Sequence, residues 1–233
     1  MILASFRQFG LMHLLVVAGF AALTLLIIAV SRDLQGSARR RRQRTIAWVG
    51  LLIQAAHQTY WIGFQPDRGE SLPLHLCDLA GMIAVAAFAF PRRWLRALLY
   101  YWGTGLSSLA FVIPVIDEGP ATLKFWLFWL SHWYIVGGAV YLVAAEGFRP
   151  GTRDLLFSTV ALLAVGLVTA GLNSIWGTHY MYTGDQPVPV PGLPEIGWPL
   201  PALVLLGAAG TLLLCLAHAP WIRWRSGNRG AEA

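Results

Sequence analysis

Seven apolar stretches follow one another along the chain, separated by short polar segments. Each is close to the roughly 20 residues that an α-helix needs to cross the hydrocarbon core of a bilayer. The pattern therefore predicts an all-α integral membrane protein, a bundle of seven transmembrane helices. The predicted helices cover Phe9–Val30, Thr45–Phe64, Leu72–Phe90, Trp94–Pro114, Thr122–Ala145, Leu155–Ile175 and Trp198–Ala217.

Lysine and arginine fall almost entirely in or next to alternate connections between these stretches. Of the 17 basic residues, 13 lie in the first, third and fifth connections and the C-terminal tail, and Arg96 lies just beyond the third connection. Only Arg7, Arg68 and Lys124 fall on the other side. Because basic residues are held on the cytoplasmic side of a membrane, we expect the N-terminus outside and the C-terminus in the cytoplasm. The predicted location is the inner (plasma) membrane, with multiple passes.

The composition agrees with a bundle embedded in lipid. Hydrophobic residues make up 57% of the chain and charged residues 12%, whereas a soluble domain has roughly 45–50% and about 25%. The net charge of +6 reflects the basic connections, so no nucleic-acid partner is expected. The run Arg39–Arg44 is interpreted as a stop-transfer cluster against anionic headgroups, with a regulatory lipid site as the alternative.

The domain organisation predicted from this pattern is simple. Residues 1–225 are expected to form one seven-helix transmembrane domain, and residues 226–233 a short, disordered cytoplasmic tail. The stretch Pro187–Pro194 is rich in proline and is typical of a stiff external loop with polyproline II character. His13 and His218 lie at the ends of predicted helices and are expected at the membrane interface.

Polar and ionisable residues inside the predicted helices concentrate in the outer half of the membrane. At 1.5 Å per residue, His57 lies about 18 Å from the inner end of the second helix, and His132 about 15 Å inside the fifth. Because such groups are costly in lipid and mark function, this layer is the candidate site. Its members, including the external residues next to it, are His57, His75, Cys77, Asp78, His132, Asn173, His179 and Tyr182.

Cys77 is the candidate nucleophile of this layer. Pro73 is expected in the first turn of the third helix, which would place Cys77 near the positive end of the helix dipole. His75 projects from a nearly opposite helix face, so a base for the thiol should come from another helix, and His132 is the best candidate. Asp78 would either orient a histidine or pair with His75.

Two other interpretations remain open for the same residues. His75, Asp78 and His132, with either His57 or His179, could bind zinc as three ligands that leave an open position for water. The chain could also be a non-enzymatic bundle that binds a ligand or lipid as a sensor or transporter component. In that case Cys77 is a packing residue, and His57 and Gln54 are hydrogen-bond partners between helices.

Four short motifs resemble the YwaF-like bacterial membrane proteins, a group related to the transmembrane protein 164 family. They are Leu72-Pro-Leu-His-Leu-Cys-Asp78, Tyr100-Tyr-Trp-Gly103, Ser131-His132 and Gly177-Thr-His-Tyr-Met-Tyr182. The resemblance runs from about Leu72 to Trp198. The sequence departs from the family pattern at His179, where asparagine is usual, and at Gln186-Pro187, where Lys-Pro is common.

The resemblance implies an acyltransferase-like membrane enzyme that moves fatty acyl chains between phospholipids through a cysteine. Cys77 matches that cysteine, and His132 matches the histidine of the fifth helix. The leading prediction is a lipid acyltransferase or acyl hydrolase in which Cys77 attacks an acyl ester and His132 transfers the proton. Supporting or substrate-binding roles are predicted for His57, His75, Asp78, Asn173, His179 and Tyr182. The expected partners are phospholipids or lysophospholipids of the membrane, without a cofactor or metal.

Overall fold

A computed structural model describes residues 6–64, 71–183 and 199–231, and its regular structure there is entirely helical. Seven α-helices are present in these ranges, and each coincides with one of the predicted stretches. They are α1 (Leu11–Ala29), α2 (Gly36–Phe64), α3 (Leu76–Ala89), α4 (Arg93–Tyr101), α5 (Leu123–Ala144), α6 (Thr152–Trp176) and α7 (Pro199–Ala231). The predicted all-α fold is confirmed.

Four of the described helices are long and apolar enough to cross a membrane. They are α1, α5, α6 and the part of α7 over Leu203–Ile222. Helix α3 is apolar but has only 14 residues, and α2 opens with a run of arginines. Large apolar side chains such as Leu25, Leu167 and Leu212 are exposed on these helices. Apolar surface of this extent is expected in contact with lipid rather than water.

The fourth predicted helix is not a regular α-helix throughout. Helix α4 ends at Tyr101 and continues as a π-helical turn, Trp102–Leu106, and a 3-10 turn, Ser107–Phe111. The hydroxyls of Thr104 and Ser108 donate to backbone carbonyls one turn earlier, at 2.6 and 2.7 Å. Thr24 and Thr211 make the same contact inside the regular helices α1 and α7, so these bonds accompany the change of helix type but do not by themselves cause it.

Helix α5 lies at the centre of the bundle and positions His132. It packs against α1, α2, α3 and α4, and Trp129, Ile135 and Leu142 along it are fully buried. Its first turn is capped by Thr122, whose hydroxyl accepts a hydrogen bond from the Phe125 backbone N–H at 3.3 Å. Helices α1 to α4 are therefore arranged around α5, whereas α6 and α7 pack on each other and on α4.

Ion pairs tie several helix ends together at one end of the bundle. The buried Glu146 carboxylate, just after α5, accepts from Arg39 of α2 at 2.7 Å and from Arg96 of α4 at 3.1 Å. Arg93 of α4 pairs with Asp154 of α6 at 2.6 Å. The starts of α2, α4 and α6 and the end of α5 therefore meet there. We call this the arginine end.

The boundaries of three further helices differ from the sequence prediction. Helix α2 begins at Gly36 instead of Thr45, so the run Arg39–Arg44 lies inside the helix and not in the connection before it. Helix α3 begins at Leu76, with His75 as its N-cap residue, so Pro73 precedes the helix instead of lying in its first turn. The α-conformation is disfavoured in the residue before proline, which is consistent with the later start. Helix α7 continues to Ala231, past residue 225, where the tail was predicted to begin. The predicted proline-rich loop, Pro187–Pro194, lies outside the described residues.

The two histidines expected at the membrane interface are buried among the helices. His13 is 2% and His218 3% exposed. The Nε2–H of His13 donates to the Phe111 carbonyl at 3.0 Å, and His218 Nδ1 shares a hydrogen bond of 2.7 Å with the Tyr101 hydroxyl. Burial of an imidazole is tolerated when its nitrogens are hydrogen-bonded, so these contacts account for the burial of both rings, and their depth in the membrane stays a prediction.

Candidate functional site

The candidate site is built around Asp78, in the first turn of α3. His57 of α2 lies beside it, with Nδ1 3.7 Å from Asp78 Oδ1, and both side chains are largely buried. The indole N–H of Trp61 donates to His57 Nε2 at 3.0 Å. Since Nε2 accepts this bond, a neutral His57 carries its proton on Nδ1, the nitrogen that faces the carboxylate.

His132 reaches the same region from α5. Its Nδ1–H donates to the Phe128 carbonyl one turn earlier, at 2.8 Å, and its ring contacts the Phe128 ring in a tilted arrangement, with centroids 4.4 Å apart and an angle of 39° between the planes. This contact leaves Nε2 as the unprotonated nitrogen of the neutral ring, which is the atom a general base uses. His132 interacts electrostatically with both Asp78 and His57.

Cys77 precedes Asp78 on α3 and is half-buried. The hydroxyl of Ser107, at the start of the 3-10 turn, interacts with its thiol but falls short of full hydrogen-bond geometry. Cys77 and His132 do not hydrogen-bond each other in the described part of the chain. The irregular backbone after α4 therefore brings a hydroxyl to the thiol. Such π-helical segments are frequent at functional sites.

Asn173 is used to hold the backbone that follows α6. Its side-chain N–H groups donate to the Tyr180 carbonyl at 2.9 Å and the Thr183 hydroxyl at 3.0 Å. Its side-chain oxygen accepts from the Thr178 hydroxyl at 2.8 Å and the Tyr180 N–H at 3.1 Å. The residue is 1% exposed. The amide group of Asn173 thus forms four hydrogen bonds with residues 178–183, and these bonds fix the conformation of the loop, residues 177–183.

This loop covers the start of α3. The Tyr180 hydroxyl accepts from the Leu72 N–H at 2.9 Å, and the rings of Tyr180 and Tyr182 lie 5.1 and 6.3 Å from the His75 ring. Met181 and Tyr182 both adopt left-handed backbone angles, with φ of 54° and 58°. Non-glycine residues take this conformation at a cost, and such strain is concentrated at functional sites.

The predicted site residues thus fall into two groups. His57, His75, Cys77, Asp78 and His132 come together from three helices, and His57 interacts electrostatically with His75. Tyr182 belongs to the loop that packs on His75, and Asn173, near the end of α6, holds that loop. His179 is half-buried, and its Nδ1 is buried without a hydrogen-bond partner among the described residues.

The model of the TMEM164 family matches residues 5–219. The chain belongs to the TMEM164 family. The match includes α1 and α2, and so extends well beyond the segment whose motifs indicated the relation. Together with its apolar helices, membership of this family identifies the chain as a membrane protein. No curated protein and no solved structure matches it.

Two features of this TMEM164-family site were not singled out by sequence reasoning. Ser107 was not identified as a site residue, although the pair Ser107-Ser108 follows Gly103 and Gly105 within the fourth predicted helix. Trp61, one turn after His57, was not singled out at all, although spacing of four residues on a helix predicts the contact. Gln54 does bridge two helices as predicted, since it donates to Ser131 at 3.1 Å.

The arrangement of the described side chains does not support the zinc site considered above. Within residues 6–64, 71–183 and 199–231, no three histidine, cysteine, aspartate or glutamate side chains are grouped so that they could hold a metal ion. The histidine nitrogens that are accounted for serve other contacts, with Trp61 and with the Phe128 carbonyl.

Proposed function

We propose that the protein is a lipid acyltransferase or acyl hydrolase with Cys77 as nucleophile and His132 as base. The observation that carries the proposal is the cluster of His57, His75 and His132 around Asp78, directly beside the thiol of Cys77. Nucleophilic catalysis by a thiol needs a base and a group that orients it. The resemblance of this motif to a family of membrane acyltransferases supports phospholipid and lysophospholipid as substrates.

The proposed reaction has two halves. Cys77 Sγ attacks the carbonyl carbon of an acyl ester while its proton passes to Nε2 of His132. The tetrahedral adduct then breaks its bond to the leaving oxygen, which takes the proton from His132, and an acyl thioester remains on Cys77. A lysophospholipid hydroxyl or water attacks the thioester, transfers its own proton to His132, and releases the thiol, which regains that proton.

The neighbouring side chains have positioning roles in this scheme. Since Cys77 and His132 do not hydrogen-bond at rest, proton transfer follows substrate binding, as is common in unliganded sites. Asp78 stabilises the imidazolium that His132 becomes, and it holds His57 by the Nδ1 contact of 3.7 Å. The Ser107 hydroxyl is placed to donate to the thiolate or to the oxyanion of the adduct.

The activity is tested with purified protein in liposomes that contain a phospholipid labelled in its acyl chain. Acyl transfer to lysophospholipid and hydroxylamine-sensitive label on the protein are measured for Cys77→Ala and His132→Gln. We expect Cys77→Ala to remove both signals and His132→Gln to slow transfer by about 10²–10⁴-fold. Cys215→Ala is the matched control, because Cys215 is an exposed cysteine on another helix, and it should retain full activity. Unchanged transfer by Cys77→Ala would refute Cys77 as the nucleophile. Absence of transfer by the unmodified protein would leave the non-enzymatic binding bundle as the better explanation.

We also propose that all seven helices cross the membrane, with the arginine end in the cytoplasm and the N-terminus outside. The meeting of arginines from alternate helix ends supports this orientation. The test uses Asp33→Cys and Asp117→Cys, both at exposed positions, in a chain without its own cysteines. A membrane-impermeant thiol reagent should label residue 117 in intact cells and residue 33 only after permeabilisation. Labelling in the opposite order would refute the orientation.

A further inference from the structure

A groove separates α1 from α2 and has α5 as its floor. It encloses a cavity of about 200 Å³. Ile27 lines one wall, Ile46 and Val49 the other, and Trp133 and Gly137 the floor. A Cβ on Gly137 would come within 3.0 Å of Thr24 and 3.2 Å of Trp133. The absence of a side chain at Gly137 therefore leaves space in the groove above α5. The surface of the lining is almost entirely apolar.

Arg42 lies at one end of this groove, together with Thr45 and Tyr141. It is half-buried, and in the part of the chain that the structure describes it forms no ion pair. In this it differs from Arg39, Arg93 and Arg96, which pair with Glu146 and Asp154. A half-buried guanidinium at the mouth of an apolar groove is complementary to a ligand with an anionic head and an apolar tail.

We propose that the groove binds one anionic glycerophospholipid from the leaflet at the arginine end. Its phosphate contacts the Arg42 guanidinium, and one acyl chain lies along Ile27, Val49 and Trp133. This site is separate from the proposed catalytic site, since Cys77 is at the start of α3 and that helix ends near the arginine end. The lipid would fill the gap between α1 and α2, because α1 packs mainly on α5.

The test uses delipidated protein in a neutral detergent, with phosphatidylglycerol and phosphatidylcholine of identical acyl chains as probes. Retained lipid is counted by native mass spectrometry, and the thermal midpoint is followed by tryptophan fluorescence. The variants are Arg42→Gln, which removes the charge, and Val49→Trp, which fills the groove. Their controls are Arg41→Gln and Val140→Trp, two exposed positions outside the groove lining.

For the unmodified protein we expect one retained phosphatidylglycerol, bound at least tenfold more tightly than phosphatidylcholine. Arg42→Gln should lose this preference, Val49→Trp should lose both lipids, and the two controls should behave like the unmodified protein. Equal affinity for the two lipids, or an unchanged preference in Arg42→Gln, would overturn the proposal. Displacement of the lipid by glycerol phosphate at equal concentration would also overturn it, because the site would then recognise a free phosphate.

Discussion

Replacement of Glu146 by glutamine tests how the arginine end is held together. The Glu146 side chain is 1% exposed and accepts hydrogen bonds from Arg39, from Arg96 and, at 2.7 Å, from Gln43. These bonds join α2 and α4 to the residues that follow α5. Glu146→Gln keeps the shape of the side chain but removes the negative charge, so two guanidinium groups lose their counter-ion.

The loss of stability expected for Glu146→Gln depends on how exposed the side chains of Arg39 and Arg96 are. Removal of one member of a buried ion pair costs about 3–5 kcal/mol, because the other charge stays buried without compensation. The Arg96 side chain is 16% exposed and fits that description. The Arg39 side chain is 39% exposed and can regain water. We therefore expect Glu146→Gln to lower the free energy of unfolding by about 3 kcal/mol, the lower end of that range.

Glu118→Gln is the matched control. Glu118 pairs with Lys124 at the same short distance, 2.8 Å, but their side chains are 37% and 28% exposed, and such pairs contribute roughly 0–1 kcal/mol. The Lys124 hydrogen bond lowers the pKa of Glu118. Because the folded pKa lies below the unfolded one, this contribution is present near neutral pH and is lost as the pH falls through the folded pKa.

Both variants are measured by reversible unfolding in mixed micelles, followed by tryptophan fluorescence at pH 7 and in mild acid. The reasoning predicts a large loss for Glu146→Gln and a small one for Glu118→Gln that shrinks in acid. If the two variants lose the same small free energy at pH 7, Glu146 is not the buried counter-ion of the arginine end.

Three further outcomes are expected from other contacts. Asn173→Ala removes four buried hydrogen bonds of the loop and should lower stability by about 2–4 kcal/mol, measured by unfolding, with protease cleavage after Trp176 increased. Gly50→Ala should destabilise the fold because its Cβ would overlap the Tyr134 ring, whereas Gly63→Ala, with open space around its Cβ, should unfold at the same or a slightly higher denaturant concentration. Asp78→Asn should reduce acyl transfer on the order of 10²-fold and alter its pH profile, while label on Cys77 stays detectable.

Much of the fold follows from local patterns in the chain. An apolar stretch of about 20 residues can satisfy its backbone groups in lipid only as a helix, so the existence and order of the helical elements were predicted. Several of their boundaries were not. Helix α2 begins at Gly36 instead of Thr45, and α4 ends at Tyr101 and continues as π and 3-10 turns. Hydropathy shows where a helix is apolar but not where its hydrogen-bonding pattern begins, changes or ends.

The candidate site was predictable in its members but not in its contacts. Helical rise fixes the height of each residue along its own helix, so Cys77, His57 and His132 could be assigned to one layer from the sequence. Which of them meet depends on how each helix is rotated and which helices are neighbours. That choice is made by packing over the whole bundle, in which α5 contacts α1, α2, α3 and α4.

By itself, then, the sequence determined the helical elements, the alternation of basic connections, the relation to the family and the set of chemically capable residues. Only the tertiary structure decided that His57 lies against Asp78, that Ser107 faces Cys77, and that Asn173 holds the loop over His75. The physical reason is that the periodicity of a helix gives the position of each residue along the helix axis and the side of that helix on which it lies. Lateral contacts between helices arise from many weak packing interactions summed over the bundle.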